Sequence, residues 1–115
     1  MEIISFGNDP GVPITAFASR AAASIQLAHG DGEAHVYAIH VEAGGEIGPH
    51  TAGFGQLFVV VTGRGWVREA DGPRVDVECG EAAYFPRGTV HSKGSDHGMT
   101  AVMVQVRDLY RDLPP

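Results

Sequence analysis

Glycine-marked turns recur along most of this chain at a spacing of about 8–10 residues, and nothing else in the sequence constrains the fold as tightly. They run from His29-Gly30-Asp31-Gly32 through Ala43-Gly44-Gly45, Ala52-Gly53, Thr62-Gly63-Arg64-Gly65, Ala70-Asp71-Gly72-Pro73, Cys79-Gly80 and Pro86-Arg87-Gly88 to Lys93-Gly94-Ser95-Asp96. Between them lie Ala34–Val41, Gln56–Thr62, Trp66–Glu69, Val75–Cys79, Ala82–Phe85 and Met99–Val106, which are rich in Val, Ile, Phe and Tyr. Such residues fit a pleated, half-buried surface, so the segments predict strands. The pattern predicts an all-β fold, a barrel or sandwich. Residues 1–28 form an N-terminal arm in this reading. Within it only Ile14–Leu27 offers a helix, through its alanines, and no residue caps it.

The chain has 115 residues, the size of one domain. With 43% hydrophobic and 19% charged residues it is a globular chain rather than a disordered one. Its formal charge is −6, and the eight Lys and Arg are scattered, so no basic stripe is available for phosphates or anionic lipid. This argues against nucleic acid and membrane surfaces as partners. No apolar run approaches the roughly 20 residues of a bilayer span, and Glu2 stands where a secretory leader carries positive charge. A single Cys79 forms no intramolecular bridge, and a cytoplasmic location is expected.

In Gln56-Leu57-Phe58-Val59-Val60-Val61 both alternating sets are apolar apart from Gln56, so both faces of this strand require cover. With Gln56, Phe58 and Val60 facing the barrel interior, Leu57, Val59 and Val61 face outward against the N-terminal segment or a second subunit. A homodimer is the expectation. A two-residue hairpin at Gly63-Arg64 would place Trp66 beside Val61 on that outer face.

Among the six histidines, His29, His35, His40 and His97 read as solvated or hydrogen-bonded side chains. His50 and His91 differ, because each follows a turn marked by Gly and Pro at a strand edge, in Gly48-Pro49-His50 and in Pro86-Arg87-Gly88-Thr89-Val90-His91. An amide at Gln56 inside an apolar strand costs about 1–3 kcal/mol unless something bonds to it. His91, Ser92 and Asp96 are too close in sequence for a nucleophile triad, Cys79 has no activating base, and Gly63-Arg64-Gly65 opens no helix and so makes no phosphate loop.

The ordered spacings are Gly44-x5-His50-x-Ala52-x3-Gln56-x6-Gly63, then Gly80-x5-Pro86-x-Gly88-x2-His91-x3-Ser95. In these the chain resembles the cupin superfamily over roughly residues 34–106. The second half carries its Gly, Pro, Gly and His in place, with Ser95 for the usual Asn. In the first half, Ala52 stands at the family's second His and Gln56 at its usual Glu. The two Gly-to-His spacings, with the resemblance they carry, make the expected fold an antiparallel barrel of six to eight strands with its core over about residues 34–106. The resemblance implies a double-stranded β-helix, or jelly roll, and a divalent metal (Zn, Fe, Mn or Ni) held at the barrel mouth. Carried over, His50, Gln56 and His91 are the ligands, a weakened set that Tyr37, His40 or His97 could complete. Restoring the missing donors by Gln56→Glu and Ala52→His is expected to tighten metal binding. The expected function is binding of a small anionic or oxygen-rich molecule through this weak centre. Two alternatives stay open: a metal-dependent enzyme of dioxygenase, isomerase, lyase or cyclase type, and a metal-free ligand-binding barrel.

Overall fold

The structure is a computed structural model that describes residues 1–111. Its strands are β1 (Glu2–Ser5), β2 (Val12–Pro13), β3 (Ala23–Ser24), β4 (His29–Val41), β5 (Gly45–Thr51), β6 (Gly55–Glu69), β7 (Val75–Glu78), β8 (Glu81–Phe85), β9 (Val90–Ser95) and β10 (Met99–Tyr110). Every pairing is antiparallel. Eight strands form one sheet folded into two halves, ordered β1-β8-β6-β10-β4 and β5-β9-β6-β7. No helix among the described residues is long and apolar enough to cross a membrane.

The two halves share β6, and this corrects the hairpin expected at Gly63-Arg64. The strand runs on through Thr62-Gly63-Arg64-Gly65, pairing with β8 and β10 up to Gly63 and with β7 and β9 from Arg64. Glycines are needed here for close approach rather than for reversal, because a side chain at Gly63 or Gly65 would run into the carbonyl of Gly98 or Gly94. Trp66 therefore lies in the second half, packed against Gly94 under the Arg74 guanidinium, not beside Val61.

Alternation along β6 sorts its side chains as the sequence predicts. Phe58 and Val60 lie in the interior with Val41, Val67, Val77, Phe85, Met99 and Ala101. On the other face Leu57 is buried with Ile4, Ala82 and Leu109, and Phe6, Leu27, Ala28 and Val59 pack against them. The N-terminal segment thus supplies cover for Leu57 and Val59, while Val61 remains exposed. The alanine-rich stretch is not an α-helix. It makes one 3-10 turn at Ala16–Ala18 between β2 and β3, with Phe17, Ala18 and Ala21 at positive φ. So short and uncapped a segment does not meet the cost of helix nucleation.

Candidate functional site

His91 and Lys93 are two residues apart on β9, so both side chains enter the barrel interior. Both are buried. The register carries the rest: His50 on β5 is the direct neighbour of His91, and Gln56 on β6 is the direct neighbour of Phe85 on β8. Between Ile47 and His50, Gly48 and Pro49 oppose the single residue Ser92, a bulge that tolerates proline in the strand.

Three polar side chains meet inside. Lys93 Nζ donates to Gln56 Oε1 at 2.6 Å and lies 3.0 Å from His91 Nδ1. The same nitrogen sits 5.0 Å from the ring centres of both Phe58 and Phe85, a cation–π arrangement on two sides. The His91 ring lies 4.6 Å from that of Phe85 and 4.4 Å from that of His50. His50 is exposed at the rim, its Nδ1 bonded to the Gly48 carbonyl at 2.9 Å. Burial pushes the Lys93 ammonium down to about 7. Burial, then the charges of Lys93 and His50, push His91 down to about 3, so its imidazole is neutral at pH 7. A neutral ring that accepts from Nζ at Nδ1 carries its proton on Nε2. That Nε2 is the one buried side-chain nitrogen or oxygen without a hydrogen-bond partner among the described residues.

The structure sets the His50 ring beside His91, and His91 and Gln56 against one amine. It also places between the inner two a residue that the sequence reading missed. Lys93-Gly94-Ser95-Asp96 reads as a turn, but Lys93, Gly94 and Ser95 continue β9. The available signal was the alternation of His91-Ser92-Lys93, which puts a lysine on the histidine's face. Ser95, at the family's Asn position, accepts from the backbone N–H groups of His97 and Gly98 and donates to the Arg64 carbonyl, so it closes a turn. Of the side chains considered as completing the site, His40 bonds Thr100, on the face of β4 opposite Tyr37, and His97 bonds Arg64. Tyr37 is half exposed and stacks on His35. A separate surface cleft of about 600 Å³, lined by Arg64, Trp66, Asp76, Glu78, Glu81 and Asp96 among others, includes none of the site residues.

The family model for the cupin domain matches residues 37–106. The chain is a cupin. Solved structures agree on the fold. A cupin-like protein from Thermotoga maritima superposes with a TM-score of 0.62 at 22% identity, over 64% of this chain and 57% of that one. An RmlC-like cupin family protein with a double-stranded β-helix fold, from Methanocaldococcus jannaschii, gives 0.62 at 11% identity over 84% and 94%. A DMSP lyase from Ruegeria pomeroyi gives 0.59 at 16% identity over 64% and 38%. This cupin therefore spans little more than half the length of the Thermotoga protein. No curated protein matches it.

Measured against the donor set that the family resemblance implies, this cupin's interior does not fit a metal ion. Gln56 Oε1 and His91 Nδ1 are both turned to Lys93, and with Nδ1 accepting from the lysine, His91 Nε2 bears a proton where a ligand needs a lone pair. Ala52, buried and hydrogen-bonded through its backbone to Gly88 and Thr89, offers no side-chain donor. No group of three His, Cys, Asp or Glu among the described residues is placed to hold a metal. A dication would sit beside the charged form of Lys93, with no carboxylate among the described residues paired to it to offset the repulsion.

Proposed function

We propose that this cupin is a cytoplasmic, metal-independent small-molecule-binding barrel whose binding group is Gln56, His91 and Lys93 beneath the His50 rim. The observation that carries this is the position of Lys93 Nζ, within hydrogen-bond distance of both inner residues that a metal would need. A cation fixed to the chain supplies the positive centre that a dication supplies elsewhere, and it leaves one imidazole N–H for a ligand. A second reading, a metal-dependent enzyme of dioxygenase, isomerase, lyase or cyclase type, draws on the 4.4 Å approach of the His50 and His91 rings. Calorimetric titration of Zn and Fe(II) into EDTA-treated wild type and Lys93→Ala separates the two. The lysine reading predicts no tight binding to wild type. Tight stoichiometric binding to wild type that is indifferent to Lys93 would favour the enzyme.

We also propose that the chain is a homodimer. The basis lies in β4, which pairs along one edge with β10 and exposes Val36 and Tyr37. An exposed edge strand of this length is a template for pairing with another chain.

A further inference from the structure

We propose, on the metal-independent reading above, that the ligand is a small aliphatic monocarboxylate, one oxygen of which accepts the His91 Nε2–H bond close to the Lys93 ammonium. Three observations converge on that chemistry. Lys93 is 1% exposed, yet no carboxylate among the described residues pairs with it: its two bonding partners, the Gln56 amide and the His91 imidazole, are neutral. A buried cation is ordinarily paired, so whenever Lys93 is charged the described interior is one negative charge short of balance. His91 Nε2–H is buried and unbonded, which is the donor that a carboxylate oxygen requires. The surroundings are apolar, with the buried rings of Phe58 and Phe85 against Lys93 and His91, so an alkyl body suits the wall better than a second charge.

Beside the His91 ring, at 4.4 Å between centres, lies the ring of His50, held through its Nδ1 to a carbonyl on its own strand. A ligand reaches Nε2 when that ring swings outward. His50 is exposed, so the swing disturbs no packed core.

The test uses full-length protein treated with EDTA, with sodium propionate and the neutral, nearly isosteric propionamide titrated by calorimetry and thermal shift. The expected result is binding of propionate at least tenfold tighter than propionamide, lost in Lys93→Met and retained or strengthened in His50→Ala. Equal binding of both probes would overturn the carboxylate while leaving the metal-independent barrel standing. Propionate binding that appears only after Zn is added back would overturn both. Absence of binding by either probe, or unchanged propionate affinity in Lys93→Met, would overturn the proposal, and loss of binding in His50→Ala would overturn the swinging ring. Should Lys93→Met fail to fold, nitrogen NMR of the wild-type histidines decides the matter. Propionate must shift the protonated Nε2 of His91 while Nδ1 remains the acceptor, and an unmoved Nε2 contradicts the assignment.

Discussion

A lysine buried against neutral partners is costly at neutral pH, and that cost sets the residue-scale predictions. Lys93 titrates near 10.5 in the unfolded chain and about 7 in the fold, so between those values the unfolded state holds more protons. Stability therefore rises with pH across about 7 to 10, with a slope of up to about 1.4 kcal/mol per pH unit for one proton. His91, ordinarily near 6.5 and lowered to about 3, adds a fall in stability as pH drops through that lower window. Urea melts from pH 3 to 10 check both, and a flat alkaline arm would contradict the buried amine. In Lys93→Met the alkaline rise should vanish while the acid arm remains. Gln56→Glu now carries a different expectation from the one its sequence position suggests. The new carboxylate would lie at hydrogen-bond distance from Nζ, hold Lys93 charged well above pH 7, and leave metal affinity unimproved. Metal titration of that variant together with its pH melt separates ion-pair formation from ligand restoration.

Among the elements, β6 and β9 show what the sequence disclosed and where it misled. The period of two in Gln56–Val61 assigned inner and outer faces correctly: strand side chains alternate, so a strand apolar on both sets has two faces to cover, and Gln56 marks one set as interior. Spacing of Gly, Pro and His drew attention to His50 and His91, which the register makes direct neighbours on β5 and β9, because turn residues mark strand ends. The same glycines misled at Gly63-Gly65 and Gly94, where the requirement is contact with a neighbouring backbone or ring and not a turn. At Gly94 an added Cβ would stand 2.5 Å from Trp66 and 2.8 Å from the Gly45 carbonyl. Gly94→Ala should accordingly destabilise the fold by about 1–3 kcal/mol, the usual range for overpacking, and disturb Trp66 fluorescence. A neutral effect in a denaturant melt would show that β9 and β6 are less tightly apposed than the structure has them.

On the scale of the whole molecule, the N-terminal segment and the long β4 edge divide the task of covering apolar surface. Ile4, Phe6, Leu27 and Ala28 close one patch over Leu57 and Val59, and this weakens the original ground for a dimer. Val36, 65% exposed on β4, supplies another. Val36→Lys should shift sedimentation from a dimer toward the 12.1 kDa monomer, because a charge on an edge strand opposes pairing. A wild type that sediments as a monomer at micromolar concentration would remove the dimer altogether. The central claim, that Lys93 stands where this family's resemblance places a metal, is tested most directly by native mass spectrometry of untagged protein purified without chelator. The account predicts subunits at the mass of the polypeptide alone, unchanged after incubation with excess Zn and desalting. One metal ion retained per subunit, and lost in His91→Ala, would contradict it.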